Sequence, residues 1–343
     1  MSAVTGMTSM LPPARAAADV ATARRTMRSA DVARLVAAGE EALRAGDAAA
    51  ALALFERAAE REHGSDIELG IVRAHMQGGH YRRALAFAAH VARSHEEAEG
   101  SILFAQLLDV GGQPQLARRV LSRAERLEPA STVAPQTWRP AATGAAVPAR
   151  ARTVATGTVI DAGLHVVAPV AALPPRATAT WVRDALGRTA AATRTRDALD
   201  LGLSLLRIEK PWPDTPAPAF DDRPTFAGSV VHAMAFASTA PDAAWPVMRT
   251  GFLRTHADVE GALVVPRFDA SRLPGGAVFD AQGRWKGVWI EAGTGGGLLV
   301  AARALIDGFG QPSLVADEPR RPTDEIVERS MRWTVQVLAD GAP

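Results

Sequence analysis

The chain has 343 residues, a formal net charge of +1, 48% apolar residues and no cysteine. A charge so near zero excludes a global field that would attract nucleic acid or an acidic membrane surface. The lack of cysteine excludes disulfides, zinc–thiolate sites and cysteine nucleophiles. The N-terminus lacks the apolar core of a secretory signal, and no apolar run is long enough to span a bilayer. We therefore predict a cytoplasmic protein with no membrane insertion and no nucleic-acid partner.

The first half of the sequence repeats itself. Gly46, Gly79 and Gly112 are spaced by 33 residues, with a small alanine five residues after each. A period near 34 indicates an array of helical hairpins, in which each glycine closes a turn at positive φ and the alanine lets the second helix pack closely. Phe55 is predicted to fill the groove between neighbouring helices. We place this array at residues 31–130, after a flexible or helical tail over residues 1–30.

These segments resemble tetratricopeptide (TPR) repeats, as the ending "RAERLEP" of the third segment also indicates. The resemblance implies a concave groove that binds a peptide or protein partner. A packing module that only extends the neighbouring domain stays open as an alternative. The histidines of the second repeat do not have the spacing of a metal site on one helix turn, so we predict neither a metal nor a cofactor.

A Pro-, Ala- and Thr-rich stretch over residues 131–151 is predicted to be a linker, because it has no amphipathic period. Residues 152–310 then show many short β-branched runs between Gly and Pro turn signals, which indicates an all-β barrel or sandwich. The sequence thus predicts a multidomain α and β protein.

Three segments of this β region resemble, in order, the trypsin-like serine proteases, most closely their bacterial HtrA branch. They are "TGTVIDAGLHVVAPVAAL", "ALGRTAAATRTRDALDLGLSLLRI" and "RLPGGAVFDAQGRWKGVWI". The resemblance implies a trypsin-like double β-barrel with a cleft that could bind peptide. It also places the histidine base at Ala171, the aspartate at Gly202 and the serine nucleophile at Pro274. A second alignment register, which stays open, would retain Asp200 as the acid.

The residues at these three positions cannot perform the chemistry of a Ser-His-Asp triad. Ala171 cannot accept a proton, and Pro274 has neither a hydroxyl nor the backbone N–H that would help to stabilise an oxyanion. Loss of nucleophile or base alone costs on the order of 10⁶-fold in rate in a comparable triad. We therefore interpret the domain as an inactive protease homologue, a pseudoprotease.

The predicted function is that of a non-catalytic protein-binding adaptor or scaffold in a larger bacterial assembly, of unknown oligomeric state. Two alternatives remain open. One is a hydrolase with a displaced nucleophile, either Ser271 or Ser204 with Asp200. The other is a purely structural subunit whose cleft is plugged. The C-terminal extension, residues 311–343, contains an amphipathic pattern in "TDEIVERSMRWTVQVL" that predicts a helix.

Overall fold

The computed structural model describes residues 13–95, 97–127, 138–175, 178–212, 214–215, 217–220, 223–237, 243–255, 263–265, 274–292, 296–309 and 319–340. Its first part consists of helices that pack in sequence order as three hairpins. These helices are α1 (Pro13–Arg44), α2 (Ala48–Ala59), α3 (Ser65–Gln77), α4 (Tyr81–Ser94), α5 (Ala98–Val110) and α6 (Pro114–Leu127). Part of the predicted tail therefore belongs to the first helix, because α1 already begins at Pro13.

The three repeating glycines lie at the turn inside each hairpin, as predicted. Gly46, Gly79 and Gly112 have φ values of +76°, +75° and +75°, a region that glycine enters without the steric cost of a Cβ. Each turn also touches the β domain. In the β domain, Gly46 lies next to Thr143, Gly79 next to Leu186, and Gly112 next to Met248. The array is therefore docked on the β domain through the edge that carries its turns.

Phe55 fixes the packing of the first two hairpins, as the sequence predicts. Its side chain is fully buried. A Cβ added at Gly39 on α1 would lie 2.8 Å from the Phe55 ring, and one added at Gly70 on α3 would lie 2.4 Å from it. Both glycines are therefore needed for the ring to pass between these helices.

The second part contains strands in the described residues with the following bounds: β1 (Thr143–Gly144), β2 (Arg152–Ile160), β3 (His165–Pro169), β4 (Thr180–Asp184), β5 (Arg188–Ala198), β6 (Leu203–Ile208), β7 (Val230–Ala235), β8 (Val247–Phe252), β9 (Arg254–Thr255), β10 (Leu263–Val265), β11 (Ala277–Asp280), β12 (Trp285–Ala292), β13 (Gly296–Ala301) and β14 (Thr334–Ala339). Two helices lie between the last strands, α7 (Ala302–Phe309) and α8 (Thr323–Ser330).

The first barrel is closed by hydrogen-bonded strand pairs. Its order is β5-β4-β14-β2-β3-β6, and β6 pairs in turn with β5, so the sheet returns to its starting strand. All of these neighbours are antiparallel. The short strand β1 runs parallel to β5 on the outside of the ring. Its place in the middle of the predicted linker shows that this linker is partly structured.

The C-terminal helix predicted from the amphipathic pattern is wrong beyond Ser330. Helix α8 ends there, and residues 334–339 form β14, the strand between β2 and β4. The spacing of Val327, Met331 and Val335 fits one helical face. However, every residue of β14 is buried, so a continuous run rich in β-branched side chains has the pattern of a central strand.

The second barrel is formed by the strand order β8-β7-β11-β12-β13-β10-β9. The two end strands, β8 and β9, are consecutive in the chain and are separated only by Leu253, which is buried. One bent segment therefore supplies both ends of the sheet and curls it into a barrel. Together with the first barrel, this confirms the predicted order of architectures, a helical array followed by a double β-barrel.

Candidate functional site

The three positions that the sequence assigns to the triad come together where the two barrels meet. The N–H of Val170 donates to the carbonyl of Gly202 at 3.0 Å, which joins the turn containing Ala171 to the turn before β6. Gly275 lies against Pro169, since a Cβ added to it would be 2.7 Å from the proline ring. Pro274, immediately before Gly275, is thus adjacent to the turn that carries Ala171.

The backbone of Pro274 is held by the first barrel. The N–H of Thr156 on β2 donates to the Pro274 carbonyl at 2.8 Å. The next residue, Gly275, has a φ of +87°, and its missing Cβ would lie 2.4 Å from the Thr156 carbonyl. The loop is therefore fixed on β2 through its backbone, and the imino acid itself offers no proton to donate.

Gly202 carries no carboxylate, and a side chain at this position would make a tight contact. It has a φ of +66°, and a Cβ placed there would lie 3.0 Å from the Ile290 side chain on β12. A larger side chain would need both a strained backbone and a displaced Ile290. Asp200, the acid of the alternative register, lies in the short turn Leu199–Leu201 and is exposed to solvent.

Ser204 does not form the nucleophile–acid pair that the displaced-hydrolase alternative requires with Asp200. Its hydroxyl donates instead to the carboxylate of Asp197 at 2.8 Å, and Arg194 contacts the same oxygen at 2.8 Å. Ser204 is also fully buried in β6. The hydroxyl is therefore a structural hydrogen-bond donor inside the barrel wall. Ser271, the other candidate nucleophile, lies outside the described residues.

Two histidines of the β domain have a side-chain partner at Nδ1, and neither partner is a serine. His165 Nδ1 lies 2.6 Å from the carboxylate of Asp161, which also accepts the His165 backbone N–H at 2.9 Å, so the pair closes the turn between β2 and β3. His232 Nδ1 lies 2.8 Å from the Thr250 hydroxyl on β8. The sequence did not predict the Asp161–His165 pair, although its spacing within one short turn is a recognisable signal.

The buried position of His232 predicts a pH-dependent stability. Burial lowers the pKa of His232 below 6.5; the charge of Asp280 raises it and that of Arg320 lowers it. Unfolded His232 therefore takes up a proton near pH 6.5, whereas the folded form resists it, so we expect the free energy of unfolding to fall as the pH drops below about 6.5.

Denaturant unfolding between about pH 5 and about pH 8 measures this slope. The variant His232→Asn keeps a polar atom opposite Thr250 but cannot be protonated, and its slope should be flatter than that of the wild type. His63→Asn, at an exposed site, serves as the control. Equal slopes for His232→Asn and the wild type would contradict the prediction.

A second site lies on the inner face of the helical array, which is formed by the first helix of each hairpin. Gln106 on α5 donates to the Trp138 carbonyl at 2.7 Å and accepts the Trp138 N–H at 3.1 Å. Gln77 on α3 accepts the Ala141 N–H at 2.8 Å. The guanidinium of Arg73 lies 4.4 Å from the centre of the Trp138 ring. The groove that the repeats were predicted to offer to a partner thus already holds residues 138–141.

The sequence analysis did not identify Gln77, Gln106 or Arg73, because polar residues on a helix surface have no distinctive spacing. The one available signal was Trp138, a large apolar side chain in an otherwise small and polar stretch. A tryptophan in such a stretch usually packs against the core or an interface of the protein.

Neither a metal site nor a membrane-spanning helix is found in what the structure describes. The described ranges contain no group of three or more histidine, aspartate or glutamate side chains that could hold a metal ion. Among the helices described, none combines the length and the apolar character needed to cross a membrane.

Comparison with known proteins identifies the repeats and supplies structural likenesses for part of the chain. A tetratricopeptide-repeat family model matches residues 42–107. The crystal structure of the MamO protease domain from Magnetospirillum magneticum in its apo form matches at 17% identity with a TM-score of 0.36, over 47% of this chain and 90% of that chain. No curated protein matches the sequence.

The Rv3671c protease from M. tuberculosis gives similar values in two forms. Its active form matches at 14% identity with a TM-score of 0.35, over 48% of this chain and 82% of that chain. Its inactive form matches at 15% identity with a TM-score of 0.35, over 47% and 87% of the two chains. The double barrel of this chain is established by its own strand pairing. The protease activities belong to the two matched proteins and are not assigned to this chain.

Proposed function

We propose that this protein is a non-catalytic adaptor or scaffold that binds protein segments as part of a larger bacterial assembly in the cytoplasm. The TPR repeats imply protein partners. The proposal adds that the trypsin-like domain is a pseudoprotease that contributes shape and surface rather than hydrolysis.

One observation carries this proposal: the positions of the base and the nucleophile adjoin each other and hold no group that transfers a proton. Ala171 and Pro274 are brought together by the contact of Pro169 with Gly275. Acyl transfer in this fold needs a hydroxyl and an imidazole within hydrogen-bond reach of each other. The third position, Gly202, has no side chain and therefore no carboxylate to orient a base.

Covalent labelling with a fluorophosphonate probe tests the loss of catalysis. We expect intact-mass analysis of the full-length protein to show no adduct, since within the described part of the β domain Ser204 is bound to Asp197 and His232 contacts Thr250 rather than a serine. The variants Ser271→Ala and Ser204→Ala are the matched controls. Stoichiometric labelling of the wild type that disappears in Ser271→Ala would overturn the proposal and establish the displaced-nucleophile hydrolase.

Peptide-library selection on the immobilised full-length chain tests the binding half. We expect the selected peptides to share a sequence motif, because a groove that reads side chains enriches a common pattern. A selection that ends without any shared motif would favour the purely structural alternative, in which both domains act only as packing surfaces.

A further inference from the structure

We propose that the inner groove of the array is a peptide-recognition site that the chain fills with its own residues 138–141, so that an external segment binds there only by displacing them. We call these residues the self-ligand. The proposal rests on the adaptor function above and adds a binding site, the kind of segment it accepts and a competition that controls access.

The groove recognises the self-ligand mainly through its backbone. Gln106 holds both polar backbone groups of Trp138, and Gln77 holds the N–H of Ala141. Backbone contacts of this kind accept any residue that has an N–H, as an extended segment does. No strand or helix is assigned to residues 138–141, so the self-ligand is an irregular segment.

The side-chain requirement of the groove is a large aromatic ring at the position of Trp138. Arg73 lies over this ring, and its guanidinium is oriented by an ion pair with Glu40 on α1, with Nη1 at 2.9 Å from the carboxylate. A cation over the face of an indole ring is attracted by the electron density of the ring, and the attraction strengthens when the pair is shielded from water. The partner that fits is therefore an extended protein segment with a tryptophan or a similar aromatic residue.

The self-ligand does not fill the groove completely. A cavity of about 180 Å³ remains beside it, lined by residues from α1 and α3, by the self-ligand and by Trp245. The Trp138 indole N–H is buried and has no acceptor among the described residues. An external segment that carries a large side chain next to its aromatic residue would fill this cavity. It would then bury more surface in the groove than the self-ligand does and bind more tightly.

The self-ligand can leave while its flanking segment stays in place. Immediately after it, Thr143 and Gly144 pair with β5, and the N–H of Thr143 donates to the Gly187 carbonyl at 2.9 Å. The chain is therefore also anchored to the first barrel, by bonds that do not involve the helices of the groove. A tethered segment competes at an effective concentration of the order of millimolar, which lowers the apparent affinity of an external peptide many-fold.

Competition binding with the full-length protein tests the proposal. The probe is a fluorescein-labelled synthetic peptide with the sequence of residues 134–145. We expect the variant Trp138→Ala to bind it at least about tenfold more tightly than the wild type, because the weakened self-ligand competes less. Trp138→Phe keeps a ring over Arg73 and should bind it nearly as weakly as the wild type does.

A second substitution locates the binding. Adding Gln106→Ala to Trp138→Ala removes both hydrogen bonds to the peptide backbone and should weaken binding about tenfold or more, at roughly 1 kcal/mol for each bond. Equal peptide affinities in the wild type and in Trp138→Ala would overturn the proposal. So would an affinity that does not depend on Gln106.

Amide hydrogen exchange on the wild type gives a readout that does not depend on how well Trp138→Ala folds. The Trp138 and Ala141 amides should both be protected, and Gln106→Ala should release Trp138 while Ala141 stays held by Gln77. Free exchange of Trp138 in the wild type would refute the occupied groove. Fluorophosphonate labelling tests the non-catalytic function, whereas hydrogen exchange and peptide binding test the occupied groove. A negative result for one proposal therefore leaves the other standing.

Discussion

A chain shortened to end at Arg332 is expected to lose the first barrel. Such a chain lacks β14, the strand that lies between β2 and β4. Without it, two long strands present unpaired edges, and the ring of hydrogen bonds is open. Exposed edges of this kind promote aggregation. We therefore expect an insoluble or partly unfolded product rather than a slightly weakened one.

The apolar contribution of the lost segment is comparable to the whole stability of a domain. Four of its large side chains, Trp333, Val335, Val337 and Leu338, are at most 2% exposed. Burial of such side chains contributes roughly 1.5–3 kcal/mol each, or about 6–12 kcal/mol together. Native proteins are typically stable by about 5–15 kcal/mol. The remaining segments cannot offset this loss.

Thermal unfolding and size-exclusion chromatography measure the effect. The control is a chain that ends at Asp340, which retains β14 and the ion pair of Asp340 with Arg150. It should unfold and elute as the full-length protein does. If the chain ending at Arg332 also unfolds at the full-length temperature as a single soluble species, β14 is not needed to close the barrel.

The array and most of the β domain could be predicted because their signals are local. A glycine that needs positive φ recurs at a fixed period, and Gly46, Gly79 and Gly112 occupy the turns that this period predicts. The three protease-like segments were likewise short runs with fixed spacing. They contain the strands β2 and β3 before Ala171, β5 and β6 on either side of Gly202, and β11 and β12 after Pro274.

The C-terminal strand could not be predicted because its pairing is not local. The residues before and after Ser330 fit one helical face, and nothing near them in sequence indicates that β2 and β4 leave a gap. That gap exists only once the strands more than 140 residues earlier have formed the sheet. Tertiary pairing then decides between two patterns that the sequence supports about equally.

The occupied groove escaped prediction for a related reason. A stretch rich in proline, alanine and threonine has the composition of a linker, and the prediction assigned it that role. The contacts that order it are made by Gln77 and Gln106, which come from two different helices. Side-chain hydrogen bonds to a distant backbone leave no periodic trace in either segment.

The variant Gly187→Ala is expected to destabilise the protein by about 3–4 kcal/mol. Gly187 has a φ of +88°, and a Cβ there would lie 1.9 Å from the carbonyl oxygen of Ala141. The backbone strain alone costs about 1–2 kcal/mol. The clash must also push the chain off β5, and this breaks the bonds from Thr143 to Gly187 and from Ala141 to Gln77, at about 1 kcal/mol each.

A matched control separates the strain from the clash. Gly228 has nearly the same φ, +93°, but an added Cβ would meet nothing within 4 Å. Gly228→Ala should therefore cost only the strain. Denaturant unfolding of both variants measures the difference, which is the contribution of the close approach between Gly187 and the chain that leads out of the groove. Equal losses would mean that the segment moves aside without cost, so that its close approach to Gly187 contributes nothing to stability. A larger loss for Gly187→Ala, together with tighter binding of the external peptide, would show that the anchor on β5 and the occupied groove stabilise each other.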